Sequence, residues 1–188
     1  MTRIIAGRAG SLTLDVPDAG TRPTSDRVRE SLFGALESAD ALRGAVVLDL
    51  YAGSGALALE AISRGAASAD LVEKSTRAAA VAQRNADRVA KSTGGDAAIR
   101  VHRIPADAFL AVAAGAPTWT LAFVDPPYEL GEVELATTLE RLAHRLSAGA
   151  LVVIERASRS PQPSLPDTLS ITRSKKYGDT ALWWAERI

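Results

Sequence analysis

Residues 45–62 read AVVLDLYAGSGALALEAI. The run Ala45–Tyr51 is apolar except for Asp49, which is typical of a strand buried on both faces of a parallel sheet. A tight turn with Gly53 and Gly55 follows at once and leads into helix-forming residues. Glycines let a ligand approach the backbone, and the free N–H groups at a helix start favour polar or anionic ligand groups. The stretch therefore predicts a nucleotide-binding turn in an α/β fold.

The rest of the chain continues this alternation of strands and helices. Further buried strands are predicted at about 68–73, 99–104, 118–124 and 150–155, with helices that include 75–91 and 132–146. In the latter helix, Val133 and Leu146 are expected to face the sheet. Two last strands, at about 169–177 and 180–187, are joined by Gly178-Asp179 and predict an antiparallel edge hairpin. The pattern predicts a doubly wound, mostly parallel, seven-stranded α/β sheet.

The N-terminal residues differ from this pattern. Residues 2–16 alternate around a glycine-bearing turn and predict a short β-hairpin, which needs a neighbour to be stable. We therefore expect an extension at 1–20 and a main domain at 21–188. A helix is expected to begin at Thr24 or Ser25, and its arginines either remain solvated or meet a ligand.

Composition limits the classes of protein that remain. The 188 residues suffice for one domain, and 47% hydrophobic with 23% charged residues is a globular profile. Zero cysteines exclude disulfides and thiolate zinc sites, and two isolated histidines make no case for a metal, so none is expected. No apolar run nears the roughly 20 residues of a membrane span, and the start lacks a signal-peptide core, so we expect a cytoplasmic protein. The formal net charge of zero leaves only local patches for a nucleic acid.

Acids follow the predicted strands at the edge where α/β sheets bind ligands. Asp49 is placed to meet an amino-acid ammonium group, although it could instead order its loop by a hydrogen bond. Glu73 ends the second buried strand and can accept both hydroxyls of a ribose. Asp107 borders the expected adenine position, but an acid in the first turn of a helix is equally explained by the helix dipole. These positions predict a nucleoside-containing cofactor.

The glycine turn alone does not choose that cofactor. The spacing Gly53-x-Gly55-x-x-Ala58 also fits the fingerprint of NAD enzymes. The pyrophosphate of NAD would be repelled by Asp49, whereas the ammonium group of S-adenosylmethionine would be attracted. Asp49 therefore favours S-adenosylmethionine, and a dehydrogenase remains as an alternative.

The stretch Leu121–Tyr128 is an apolar strand that ends in an acid, two prolines and an aromatic residue. The two prolines fix φ and remove two N–H donors, which leaves acceptors beside a ring. Asp125 and a proline carbonyl could take the hydrogens of an exocyclic amine while Tyr128 stacks on a flat base. The alternative is a Pro-Pro turn after a buried strand.

Together these motifs resemble the amino-group methyltransferases that use S-adenosylmethionine. The order is Asp49–Gly55, then Glu73, then Asp125–Tyr128, each at a strand end. Within that class, the motifs Arg22–Glu30, Ser63–Ala66 and Tyr177–Thr180 are similar to the bacterial 16S rRNA guanine-N2 methyltransferase family. The match covers nearly the whole chain, and a small departure is Tyr51, where relatives often have phenylalanine.

The resemblance implies a Rossmann-like class I methyltransferase that acts on the N2 amine of one guanine in 16S rRNA. We expect the protein to be a monomer. It implies catalytic roles for Asp125, Pro126, Pro127 and Tyr128. The implied cofactor-binding residues are Asp49, Tyr51, Ala52, Gly53, Ser54, Gly55, Glu73, Lys74, Asp107 and Ala108. The implied substrate-binding residues are Arg22, Thr24, Arg27, Arg29 and Lys176. Because the chain has no net charge, the substrate is expected to be an assembled or assembling small subunit, in which ribosomal proteins share the recognition.

Other acceptors remain open at this stage. The same chemistry serves adenine N6 in DNA or a protein glutamine, although enzymes of the latter kind usually have asparagine where Asp125 stands. An inactive nucleic-acid-binding module that retains the fold is the alternative from a different class.

Overall fold

The computed structural model describes residues 2–17, 25–112 and 119–188. Its strands are β1 (Thr2–Arg3), β2 (Thr13–Leu14), β3 (Val46–Leu50), β4 (Ser68–Val72), β5 (Ala98–His102), β6 (Trp119–Val124), β7 (Leu146–Ala157), β8 (Leu169–Tyr177) and β9 (Thr180–Arg187). Its helices are α1 (Asp26–Ser38), α2 (Ala56–Ser63), α3 (Thr76–Ser92), α4 (Ala106–Val112) and α5 (Glu132–Ala143). Four residues of the predicted arginine-rich motif and of the predicted strand at 118–124 lie outside the described residues: Arg22, Pro23, Thr24 and Thr118.

A seven-stranded sheet with the order β5-β4-β3-β6-β7-β9-β8 forms the centre of the molecule. Strands β3 to β7 are parallel, and β9 runs antiparallel to both β7 and β8. After β3, the strands β4 and β5 are added on one side, and β6 and β7 are then added on the other side of β3. The direction of strand addition therefore reverses between β3 and β6. Ligands of open α/β sheets bind at such a reversal. The predicted fold class is confirmed.

Helices cover both faces of the sheet because its central strands are apolar on both sides. On one face, α1, α2 and α3 contribute Leu32, Leu59 and Val89 to a core that includes Phe123 of β6. On the other face, α4 and α5 pack Leu110, Leu139 and their neighbours against Val124 and other strand residues. The predicted start of α1 is confirmed at Ser25, whose hydroxyl accepts a hydrogen bond from the N–H of Val28 at 3.4 Å.

The N-terminal hairpin packs on α2. Glu60 is fully buried, and its two carboxylate oxygens accept hydrogen bonds from the N–H groups of Ile5 at 2.7 Å and Ala6 at 3.0 Å. Gly7 has φ +84°, and a Cβ there would lie 2.1 Å from the carbonyl oxygen of Ser63, so the turn requires glycine. This contact supplies the neighbour that a two-stranded hairpin needs.

Two details of the predicted helix at 132–146 are wrong. The helix ends at Ala143, and Leu146 begins β7, where it pairs with Trp119 of β6. Val133 is 84% exposed because it lies two positions from the buried Leu135, on the opposite side of a helix with about 3.6 residues per turn. Within the described ranges, no helix has the length and apolar character needed to cross a membrane.

Candidate active site

Three acids lie at the carboxyl ends of neighbouring strands. Asp49 is the fourth residue of β3, Asp125 follows β6, and Glu155 lies in β7 directly after Ile154, which pairs with Val124. All three line one cleft of about 350 Å³ beside the reversal of strand order. Its volume falls within the range of small-molecule sites.

The glycine turn forms one wall of this cleft. Gly53 and Gly55 have φ of +55° and +81°, and Tyr51 also adopts the left-handed region, at +70°. A Cβ on Gly55 would lie 2.6 Å from a methyl carbon of Leu71, whereas a Cβ on Gly53 would have no heavy atom within 4 Å. Packing against Leu71 therefore requires glycine at position 55, whereas Gly53 leaves open space for a ligand to approach the backbone.

Glu73 braces the same turn. One carboxylate oxygen accepts a hydrogen bond from the N–H of Gly53 at 3.0 Å, and the other accepts one from the N–H of Ser75 at 2.7 Å. Each carboxylate oxygen has a second lone pair, so the group can still accept from the hydroxyls of a ribose. Glu73, which the sequence predicts to bind the ribose, thus also fixes the conformation of the turn.

Asp49 is almost fully buried and accepts a hydrogen bond from the N–H of Ala58 in α2 at 3.2 Å. The loop-ordering bond considered from the sequence is therefore present. Burial, with a smaller contribution from the charge of Glu73, raises the pKa of Asp49 to about 7, against the opposing effect of the Ala58 N–H. A cationic group placed in the cleft would favour the ionised carboxylate.

Asp125 belongs to the same group of acids and is partly buried, whereas Asp49 is almost fully buried. Burial, followed by the negative charges of Glu155 and Asp49, raises the pKa of Asp125 well above its ordinary value. Tyr128, three residues further along, is 68% exposed at the cleft mouth, so a flat ring could stack on it. The motif therefore combines a partly buried acceptor with an accessible aromatic ring.

Arg29 of α1 is 1% exposed and also lines the cleft. Its Nη2 donates to the Thr2 hydroxyl at 3.0 Å, the Arg3 carbonyl at 2.8 Å and the Asp26 carboxylate at 2.7 Å. Its Nε and Nη1 are buried with no hydrogen-bond acceptor among the described residues. This burial contradicts the expected contact with RNA phosphates, since a phosphate outside the molecule cannot reach the guanidinium group. An anionic group inside the cleft would satisfy it instead.

Other predicted residues divide between the cleft and the surface. The cleft lining includes Asp49, Tyr51, Ala52, Gly53, Ser54, Glu73, Lys74, Asp125, Pro126, Pro127 and Tyr128. Gly55 lies behind the turn, and Ala108 follows the lining residue Ala106 by two positions in α4. Asp107 is exposed, 3.9 Å from Arg141, while Arg27 and Lys176 are exposed on α1 and β8. Arg22 and Thr24 fall outside the described ranges.

Three residues that shape the site were not predicted from the sequence. Asn85 is fully buried and donates to the Ser54 carbonyl at 2.9 Å. Arg156 holds the loop after the Asp-Pro-Pro-Tyr motif through the Leu130 carbonyl at 3.3 Å and through Glu132. Glu155 lies beside Asp125 in the cleft. Glu155 was detectable, because an acid at a strand end was the signal that identified Asp49 and Glu73.

The cleft fits S-adenosylmethionine by the chemistry of its donors and acceptors. Asp49 suits the ammonium group, Glu73 the ribose, and the unpaired nitrogens of Arg29 the carboxylate. Among the described residues, no group of three or more histidine and acidic side chains is arranged to hold a metal ion.

Known proteins of similar sequence and structure agree with this geometry. The chain is 41% identical over 180 residues to Ribosomal RNA small subunit methyltransferase D of Escherichia coli (strain K12), which covers 95% of this chain and 86% of the relative. A solved structure from Escherichia coli, described as "Putative methyltransferase yhhF", superposes with a TM-score of 0.82 at 37% identity, covering 98% and 97% of the two chains. A hypothetical protein of Thermus thermophilus superposes with a TM-score of 0.80 at 33% identity, covering 98% of each chain.

The fold and the cleft define a class I methyltransferase, with S-adenosylmethionine as its cofactor. The chain belongs to the family described as Conserved hypothetical protein 95, and the model of that family matches residues 2–186. This is the family of small-subunit rRNA methyltransferases that the sequence motifs resemble.

Proposed function

We propose that this protein transfers a methyl group from S-adenosylmethionine to the N2 amine of one guanine in 16S rRNA of the small ribosomal subunit. The observation that supports this most is that the partly buried Asp125 and the exposed ring of Tyr128 line the same cleft. A base that leaves its RNA stack can lie against Tyr128 and bring an exocyclic amine to Asp125. The name of the Escherichia coli relative supports small-subunit rRNA as the source of that base.

The chemistry depends on positioning more than on proton abstraction. When bound, the cofactor supplies a methyl group on a positively charged sulfur, which is already strongly electrophilic. The amine of guanine is a poor nucleophile because its lone pair is delocalised into the ring. Asp125 and the Pro126 carbonyl would accept its two hydrogens and direct the lone pair at the methyl carbon. Such alignment can lower a barrier by up to about 7–11 kcal/mol.

Bond making and proton loss then follow in order. The nitrogen lone pair would form the N–C bond while the cofactor gives up its methyl group, so the cofactor would become a neutral thioether and the nitrogen would carry the positive charge. That nitrogen then releases one proton, and Asp125, the carboxylate of the Asp-Pro-Pro-Tyr motif, would receive it. The raised pKa of Asp125 suits this role, because a carboxylate of higher pKa binds a proton more readily.

A basic surface beside the cleft suits the RNA backbone. Ser31 of α1 contacts the Tyr177 hydroxyl of β8 at 2.6 Å, so these two elements lie side by side. Arg27 is one helical turn before Ser31, and Lys175 donates to the Ser31 hydroxyl at 3.4 Å, so both exposed cations lie on this side of β8, whereas the side chain of Lys176 points to the other side. Exposed cations on neighbouring elements could bind phosphates of the RNA backbone. Because the chain has zero net charge, we expect its substrate to be a ribosomal particle, in which ribosomal proteins provide further contacts. This role would place the protein where ribosomes assemble, in the cytoplasm.

Labelled methyl transfer to different acceptors tests this proposal. The acceptors are small subunits from cells that lack the protein, protein-free 16S rRNA, duplex DNA and a glutamine-containing peptide. We expect label in the RNA of the small subunits, with much less in protein-free rRNA. Label in DNA or peptide but not in RNA would refute the choice of substrate. Tight binding of NAD without binding of S-adenosylmethionine would refute the choice of cofactor.

A further inference from the structure

We propose that Glu155 selects guanine by accepting a hydrogen bond from its N1–H while Asp125 holds the N2 amine. Glu155 would then be a specificity-determining residue. This inference rests on the proposed function, because it presupposes that the acceptor is the N2 amine of a guanine.

The register of the sheet places the two acids together. Val124 of β6 pairs with Ile154 of β7, and the residue after each is an acid, so Asp125 and Glu155 are neighbours across parallel strands. The charge of Glu155 contributes to the raised pKa of Asp125, which agrees with two carboxyl groups that lie close together. Two neighbouring acceptors can therefore contact neighbouring donors on one ligand.

A second cavity lies beside the cleft at this point. Its volume is about 90 Å³, and it shares Asp125, Pro126, Tyr128 and Glu155 with the larger cleft. Asp125 and Glu155 therefore lie where the cofactor cleft meets this side chamber, and an edge of the base could enter it.

The wall of this chamber also provides a donor. Arg156 is 8% exposed and lines the cavity, and its buried Nε has no hydrogen-bond acceptor in the described part of the chain. Its Nη2 is already bound to the Leu130 carbonyl and to Glu132. The chamber is therefore lined by two carboxyl groups and by an arginine whose buried Nε lacks an acceptor among the described residues.

Guanine is the base whose edge matches this set. Along its Watson–Crick edge it presents the N2 amine and N1–H as donors and then O6 as an acceptor. Adenine presents an acceptor at N1, which would face the lone pairs of Glu155 at close range. A carboxylate can only accept, so it favours the base with N1–H and disfavours the base without it. A site that hydrogen-bonds a particular N–H can reject an analogue that lacks it by large factors.

The test replaces the target guanine by 2-aminopurine, which keeps the N2 amine but has a bare acceptor at N1 and no O6. Semisynthetic 16S rRNA would contain either base at the position that the wild-type protein methylates, and would be reconstituted into small subunits. Methyl transfer to both would be measured for the wild type, Glu155→Gln and Glu186→Gln. Glu186 is an exposed residue of β9 that pairs with Leu151, at the other end of the strand from Glu155, and serves as the matched control.

We expect the wild type and Glu186→Gln to prefer guanine by at least ~100-fold in kcat/KM. Glutamine can donate to the bare N1, so Glu155→Gln should bring the ratio of the two substrates within ~10-fold of unity. Calorimetry with S-adenosylmethionine would show that the variant retains its cofactor affinity and its fold. If Glu155→Gln turns over neither substrate, the ratio of dissociation constants for the two RNAs, measured by filter binding, replaces the kinetic ratio.

The two proposals can fail separately. A wild-type protein that methylates no guanine would contradict the proposed function. A wild type that methylates guanine and 2-aminopurine equally, or a Glu155→Gln variant with an unchanged ratio, would contradict the role of Glu155 alone.

Discussion

The amide of Asn85 in α3 donates a hydrogen bond to the backbone carbonyl of Ser54 in the glycine turn at 2.9 Å. The same side chain pairs with the backbone of Asp15, donating to its carbonyl and accepting from its N–H, each at 2.9 Å. Asn85 is fully buried, so these three bonds satisfy a side chain that would otherwise be costly to bury. One residue therefore joins the N-terminal segment, a long helix and the cofactor cleft.

Replacing Asn85 by alanine should weaken both folding and cofactor binding. The change leaves three backbone groups without their partner, and we expect a loss of about 2–3 kcal/mol in the free energy of unfolding. The affinity for S-adenosylmethionine should fall because Ser54 lines the cleft. Urea denaturation and calorimetry would measure the two effects. Gln83→Ala, at an exposed position of the same helix, is the control, and equal behaviour of the two variants would contradict the role of Asn85.

Binding of S-adenosylmethionine should depend on pH through Asp49. The pKa of this group is raised to about 7, chiefly by burial, so below pH 7 the neutral acid predominates in the free protein. An ammonium ligand requires the carboxylate, and the affinity should therefore fall as the pH drops from about 7.5 to about 5.5, approaching roughly tenfold per unit at the acid end.

Calorimetry at several pH values would follow this change. Asp49→Asn should bind more weakly at neutral pH and should lose most of the pH dependence. A wild-type affinity that stays constant over this range would show that Asp49 does not face the ammonium group.

Asp70 should make a pH-dependent contribution to stability. Burial alone would raise its pKa, but hydrogen bonds from His102, Arg100 and Trp119 outweigh burial and hold the pKa well below its ordinary value. A lowered pKa in the folded state stabilises the protein at pH values above the unfolded-state pKa of 3.8, and this contribution disappears as the pH falls. Arg100 is 46% exposed, so solvent weakens part of the interaction.

Asp70→Asn should accordingly lower the free energy of unfolding by about 2–3 kcal/mol at neutral pH, and by less near pH ~3. Denaturation curves at both pH values would show this, with the exposed Asp87→Asn as the control. An equal loss at both pH values would contradict the assignment to the charge of Asp70.

The basic surface should be visible in the salt dependence of RNA binding. The double variant Arg27→Ala with Lys175→Ala should weaken binding, and the slope of log K against log salt should become shallower by about 1 to 2. Filter binding to small subunits over a range of salt would measure the slope. The control variant combines Arg43→Ala and Lys91→Ala, two exposed cations that lie before β3 and in the last turn of α3. A slope that changes equally in both variants would argue against a specific RNA surface.

The sequence was sufficient for the fold because its strongest signals are local. The apolar runs at β3, β6 and β7, and the glycine turn before α2, each indicate an element without knowledge of the rest of the chain. The limit of a local signal is visible at Leu146, whose side chain suits either a helix or a strand. Pairing with Trp119, far earlier in the chain, decides for the strand, and periodicity cannot reveal such a partner.

The site was predictable in part for the same reason. Asp49, Glu73 and Asp125 follow strands, and parallel strands bring their ends to one edge. Asn85 and Arg156 differ, since their importance comes from carbonyl groups far away in sequence. Arg29 illustrates the converse, because the motif identified the residue but not its burial against Thr2 and Asp26. Which arginine faces the cleft depends on the rotation of α1 against the sheet, and only tertiary packing fixes that rotation.

The identity of the methylated nucleoside tests the central claim most directly. Small subunits from cells lacking the protein would be incubated with S-adenosylmethionine and the wild type, Asp125→Asn or Asp125→Ala, and the 16S rRNA would be digested and analysed by mass spectrometry. We predict N2-methylguanosine with the wild type, a reduced amount with Asp125→Asn, which keeps one acceptor oxygen, and none with Asp125→Ala, although all three bind the cofactor. A methylated nucleoside other than N2-methylguanosine, or equal product from Asp125→Ala and the wild type, would contradict the account.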